Sequence, residues 1–172
     1  KLAICHNEQG NIQGQNSNNT TGSLWIYDFD DATGIVSNPI NVISNSGVYG
    51  TAFSTDSSKL YATANRTIFQ FDLNAADISG SQTIIRQQSN FIGALQLAPN
   101  GKIYAANTAT DFALDVINNP DEQGLLCDYV AAGQPLAAGT DANLGLPPFI
   151  QSFFLAKIEA ENLCLGNATQ FL

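Results

Sequence analysis

Histidine, cysteine and carboxylate side chains supply most nucleophilic, acid–base and metal-binding chemistry. This sequence holds one His, three Cys and fifteen acidic residues. The densest acidic group is Asp28, Asp30 and Asp31 in DFDDATG. Hard carboxylate oxygens on a turn suit calcium, which takes about six to eight oxygen ligands. No bidentate acid follows at a useful distance, so a hairpin turn with solvated carboxylates is preferred, and the three aspartates stand only as a candidate set. His6 beside Cys5 suggests a metal pair or a Cys/His nucleophile. Adjacent residues on a strand point to opposite faces, so the pair diverges, and no second His exists to complete a site. No catalytic residue, metal or cofactor is assigned.

Cys5, Cys127 and Cys164 are an odd set, which leaves a free thiol or an absent partner, and the pairing stays open. Asn18, Asn19, Asn65 and Asn167 each begin an N-x-Ser/Thr sequon of the kind an Asn/Thr-rich chain makes by chance. Asp56, in STDSSK, reads as a turn former. The best candidate for ligand contact is the long polar segment Glu8 to Thr21, with Glu8, Asn11, Gln13, Asn16, Asn18 and Thr20 as its contact residues. Long loops of this kind carry binding, while regular elements carry stability.

The elements that must position these residues repeat along the chain. VYGTAFSTDSSKLYATANRTIFQFDLN, from Val48, aligns with FIGALQLAPNGKIYAANTATDFALDVIN, from Phe91. Thr55-Asp56 matches Pro99-Asn100 at an offset of 44, and Lys59-Leu60-Tyr61 matches Lys102-Ile103-Tyr104 at 43. Upstream, Trp25 to Phe29 aligns with Phe69 to Leu73 at 44, and Lys1-Leu2-Ala3 resembles Lys59-Leu60-Tyr61 at 58. The 14-residue excess is the polar insert at 8–21. In TIFQFDL, Phe69, Phe71 and Leu73 alternate with Gln70 and Asp72, a period of two that buries one face of a strand. Trp25, Tyr27 and Phe29 repeat that face. Trp25, Tyr27, Tyr49, Tyr61 and Tyr104 are expected in core or inter-sheet packing.

Four strands are expected in the complete middle copy: VYGTAFS, KLYATAN, TIFQFDL and SQTIIRQQ. Four antiparallel strands every 40–45 residues predict blades of a β-propeller. The expected fold is all-β: about three four-stranded antiparallel blades of ~44 residues, a partial β-propeller. Closure takes about four to eight blades, so further blades are expected before Lys1. The absence of Met and of an apolar leader gives the same expectation of a piece of a larger chain. After the third copy, Cys127 to Val130 supplies an outer strand, a Gly/Ala-rich connector follows, and LPPFIQSFFL, Leu146 to Leu155, offers a returning strand. AKIEAENLCLGNATQFL then changes character. The boundaries are 1–156 for the propeller part and 157–172 for the start of another domain.

Six Lys plus Arg against fifteen acids give a net charge of −9. That balance lacks the basic footprint of a nucleic-acid binder and the basic face that anionic lipid attracts. No apolar run reaches the ~18 residues of a membrane span, so nucleic acid and membrane insertion are excluded as partners. Hydrophobic content of 44% supports a core, and only 12% of residues are charged, a profile that suits an exported protein.

The ordered series KLAICHN, IYDFDDATGIVSNPI, FSTDSSKLYAT, IFQFDL, GALQLAPNGKIYAAN, VINNP, CDYV and GLPPFIQSFF resembles part of a known family. It looks like the C-terminal half of the propeller in large exported Bacteroidota proteins, described as gliding-motility-associated or PKD-domain proteins. The resemblance implies Ig-like PKD domains after the propeller and a sorting domain read by the type IX secretion system. ENLCLGNATQF is similar to the first strands of such a PKD domain. Two departures are Pro148, where the family's LPNF motif has Asn, and the long 8–21 insert. The implied role is a non-catalytic extracellular or cell-surface scaffold or binding module, related to adhesion or gliding. Its implied partners are the remaining blades and PKD domains of the parent chain, type IX secretion components and surface glycans. The alternatives are a propeller enzyme, lyase or hydrolase, with its active site mostly in the missing half, and a cargo of the secretion machinery.

Overall fold

Hairpins dominate the local structure because turn residues recur where the strands must reverse. A computed structural model describes residues 1–6, 22–109 and 112–147, and the backbone of Ala160–Glu161 and Gln170–Phe171. Asn65 adopts φ 55° in the two-residue connection Asn65-Arg66, a left-handed conformation that Asn tolerates better than most residues. Ser57 at φ 60° and Gly101 at φ 78° serve the STDSSK and APNGK turns. Both turns close the same way: the Ser54 amide donates to the Lys59 carbonyl and the Ala98 amide to the Lys102 carbonyl, each at 2.9 Å.

Eleven strands build three antiparallel sheets. The first contains β1 (Leu2–His6), β2 (Ser23–Phe29) and β3 (Val36–Ser44), in that order. The second contains β4 (Val48–Phe53), β5 (Lys59–Ala64), β6 (Thr67–Asp72) and β7 (Thr83–Gln87). The third contains β8 (Ile92–Leu97), β9 (Ile103–Asn107), β10 (Ala113–Ile117) and β11 (Tyr129–Pro135). A separate pair joins β12 (Ala160–Glu161) to β13 (Gln170–Phe171). Among the described residues there is no α-helix, and the sheets do not close into a ring or barrel. No helix among the described residues is long and apolar enough to cross a membrane.

The second sheet lies between the other two and is buried on both faces. Leu60, Ala62, Ala64 and Phe71 join Leu24, Ile26, Val42 and Ile43 of the first sheet in one core. Tyr61 and Ile68 join Ile92, Leu95, Ile103, Ala105 and Ile117 of the third sheet in the other. Each fully buried Leu, Ile or Phe here contributes about 1.5–3 kcal/mol. This corrects the one-sided reading of TIFQFDL. Ile68 and Gln70 are as buried as Phe71, at 0% exposure, because a sheet covers each side. Trp25, Tyr27 and Phe29 do repeat the Phe69/Phe71 face, but the first sheet buries Leu24 and Ile26 instead. The aromatic side there has no neighbouring sheet among the described residues.

Registers also shift one alignment. Val48 pairs with Ala64 and Ile92 with Asn107. The counterpart of Val48 is therefore Ile92, one residue beyond the expected Phe91. Phe91 is half exposed and Arg66 stacks over its ring at 5.4 Å. Glycine is required where the inner strands converge. A Cβ on Gly50 would lie 2.8 Å from Ala94 Cα, and one on Gly93 would lie 2.6 Å from Leu144 Cα. Thr63 ties this seam, accepting from the Gly50 amide at 2.9 Å and donating to the Gly93 carbonyl at 2.7 Å.

Candidate functional site

The ligand-contact candidates Glu8, Asn11, Gln13, Asn16, Asn18 and Thr20 lie outside the described residues, as do Asn19, Cys164, Asn167 and Pro148. The acidic set is described, and its members have separate duties. Asp28 accepts from Lys1 Nζ at 2.5 Å and from Asn38 Nδ2 at 2.8 Å. Those two bonds hold its carboxyl below the usual range. The Lys1–Asp28 pair is the counterpart of Lys59–Asp72 in the second sheet, so Asp28 follows the repeat. Asp30 caps its own turn. The Thr33 hydroxyl and the Ala32 and Thr33 amides lower its pKa, with the amides at 3.0 and 3.3 Å. Asp31 is exposed. Among the described residues no three His, Cys, Asp or Glu side chains gather where an ion could sit.

Cys5 and His6 diverge as strand geometry requires. Cys5 packs against the core, where burial raises its thiol pKa, and His6 is exposed. Cys127 is fully buried beside the Tyr61 hydroxyl, and burial raises the pKa of both groups. Neither Cys5 nor Cys127 is in a disulfide. Asn65 works as a turn residue, donating its side-chain amide to Ser46 Oγ at 3.3 Å.

The structure gathers a polar groove that the sequence motifs did not single out. The segment from Asn118 to Cys127 leaves β10, crosses to the second sheet and is anchored there by two buried side chains. Tyr61 donates to the Pro120 carbonyl at 2.9 Å. Gln70 donates to the Glu122 carbonyl at 2.7 Å and accepts from the Gly124 amide at 2.8 Å. Asp121 then accepts from the Thr55 hydroxyl and, at 3.1 Å, from the Asp56 amide. Asp56 forms its turn through the Ser58 amide and Ser54 hydroxyl, each at 2.8 Å, which hold it well below the usual carboxylate range. The one available signal was Gln70, a polar residue inside an apolar strand.

Between the Thr55 turn, Gly101 and this segment lies a cavity of about 670 Å³, lined also by Asn118, Asn119, Asp121, Glu122 and Leu126. Pockets of roughly 300–1,000 Å³ hold small ligands. This one is lined by amides, carboxylates and a hydroxyl, with no His or Cys among its walls. Thr55 donates its hydroxyl to the Asp121 carboxylate across this groove. The lining offers both donors and acceptors for hydrogen bonds.

A second polar set centres on a buried carboxylate. Asp115, at 0% exposure, stands where the second sheet has Phe69, each opposite the equivalent Ala of the neighbouring strand. It accepts from Asn107 Nδ2 at 2.7 Å, the Tyr129 hydroxyl at 2.6 Å and the Ala132 amide at 2.8 Å. Burial and then Asp115 raise the Tyr129 pKa. Three donors satisfy the carboxylate, so the network locks β9, β10 and β11 together. No protein-family model and no curated protein matches the chain.

Proposed function

We propose that the chain is a non-catalytic scaffold and binding module: the C-terminal half of an extracellular β-propeller in a large secreted or cell-surface protein, with a PKD-like domain beginning near residue 157. The observation that carries this reading is the stacking of three sheets of one repeat through equivalent positions, with both faces of the middle sheet covered. Rigid sheets of this kind hold loops at their rim, and the rim is where ligand contact is made. The family resemblance adds adhesion or gliding at the surface of a Bacteroidota cell, and export by the type IX system. Its partners are then the other blades, the PKD domains that follow, and surface glycans. The amide- and carboxylate-lined groove supports the glycan part, because hydroxyl-rich ligands need paired donors and acceptors.

Titration of purified surface polysaccharides into the chain, monitored by calorimetry and by release of reducing ends, tests the proposal. Saturable binding without turnover is expected, weakened by Asn119→Ala or by shortening the 8–21 segment. Cleavage of the polysaccharide would establish the enzyme alternative instead. Binding unchanged in both variants would remove the groove and the loop from the account.

A further inference from the structure

Among the described residues, the first sheet has no strand corresponding to β4 and β8. Lys1-Leu2-Ala3 matches Lys59-Leu60-Tyr61, so β1 is the counterpart of β5 and β9. In the complete sheets an inner strand pairs with that element. Phe53 lies opposite Leu60, Thr51 opposite Ala62 and Val48 opposite Ala64. Leu97 lies opposite Ile103, Leu95 opposite Ala105 and Ile92 opposite Asn107. Among the described residues β1 pairs on one side alone, with β2. Its other edge presents main-chain donors and acceptors of the kind that template an added strand.

The face beside that edge carries the same message. Leu60, Ala62 and Ala64, and likewise Ile103, Ala105 and Asn107, turn toward the preceding sheet and are at most 3% exposed. Their counterparts are Leu2, Ile4 and His6, of which Leu2 is 36% and Ile4 45% exposed. Leu2 lies opposite Tyr27 and Ile4 opposite Trp25, and Phe29 opposite Val36 extends the surface. This apolar face continues the interface that already joins the first sheet to the second and the second to the third.

We infer that the β1 edge and the Leu2–Ile4–Trp25–Tyr27–Phe29 face are the seat of one occupant, an antiparallel inner strand of this same repeat together with the sheet stacked behind it. The strand enters with its residues corresponding to Phe53, Thr51 and Val48 opposite Leu2, Ile4 and His6. Its source is the same polypeptide. β4 reaches β5 through the turn at 54–58, and β8 reaches β9 through the turn at 98–102. A strand joined to β1 through a turn of the same kind would reproduce that connection. This inference rests on the reading of the chain as part of a larger stack, and it adds the edge, the register and the face.

The probe is a synthetic VYGTAFSTDSS peptide, the sequence of Val48 to Ser58, added to the 172-residue chain and compared with a scrambled peptide. Amide exchange at Leu2–His6 should slow by about tenfold or more with the native-order peptide alone. A cysteine at the peptide's Thr51 position should cross-link to an Ile4→Cys variant, and one at the Ala52 position should not. A second preparation with VYGTAFSTDSS fused before Lys1 should melt several degrees above its scrambled fusion. No protection of β1 and equal melting of the two fusions would overturn the inference. So would β1 amides already protected without the peptide, whether by the chain's own 146–155 segment or by a second copy whose contribution grows with concentration. Glycan binding by the groove is measured separately, so the binding reading and this one fail independently.

Discussion

Asp56 is held in its charged form by the Ser58 amide and the Ser54 and Ser58 hydroxyls, while its own amide reaches across to Asp121. Asp28 and Asp30 are likewise held below the usual carboxylate range. A carboxylate whose folded pKa lies below its unfolded value, about 3.9 for Asp, adds stability above that pH and loses it as pH falls toward the folded value. The chain should therefore hold its plateau of stability above about pH 4 and lose it progressively below. Asp56→Asn should flatten the acid limb while leaving the neutral-pH far-UV spectrum unchanged. Urea midpoints at a series of pH values check this, and an unchanged limb would show that the turn bonds contribute nothing to folding. At this scale the sequence was partly legible. STDSSK announced a turn through its Ser and Asp, and Asp30 in DATG did the same. That Asp121 would complete the Asp56 turn was not legible, because 65 residues of chain separate them. Gln70 and Asp115 stand out as polar residues in apolar strands, but what they do there was not legible, because only the partners at their tips explain them.

At the scale of elements, the inner strands approach backbone to backbone, and the small residues there answer a steric demand. Gly50→Val would drive a side chain into Ala94 Cα and the Leu95 amide, both 2.8 Å from the new Cβ. Rigid backbone cannot yield as a flexible side chain does, so the cost should reach about 2–3 kcal/mol, the upper part of the overpacking range. Gly145→Ala is the control, since nothing lies within 4 Å of its Cβ position. Denaturant midpoints for the two variants decide the matter. Equal midpoints would mean that the second and third sheets are less tightly joined than the distances say. The strands themselves were readable from alternation and turn residues, and the four expected in the middle copy are β4 to β7 within two residues at each end. Which face is buried was not readable for the first copy. Periodicity says that a strand has two faces, but a neighbour decides which is covered. The Val48 alignment slipped by one because the shorter second turn leaves β8 at an offset of 44 and β9 at 43, and a single offset cannot fit both.

For the whole molecule, the repeat predicted stacked antiparallel sheets, and the chain is all-β with three of them. Ring closure lies beyond what three sheets contain, and beyond residue 147 the described residues are those of the short β12–β13 pair. The third sheet also has company at its far side: Leu144 lies over Gly93 much as Ala94 lies over Gly50, and its carbonyl accepts from the Ala94 amide at 2.7 Å. One end of the stack thus continues past the third sheet, while among the described residues the first sheet leaves its edge and apolar face uncovered. Burial on two faces stabilises the middle sheet most, and an open edge with an open face stabilises β1 least. Native-state amide hydrogen exchange, resolved strand by strand on the isolated chain, tests this most directly. The account predicts slowest exchange in β5 and β6, intermediate exchange in β9 and β10, and fastest exchange in β1. Protection of β1 equal to that of β5 would contradict it, because the first sheet would then be covered and the stack would not be open there.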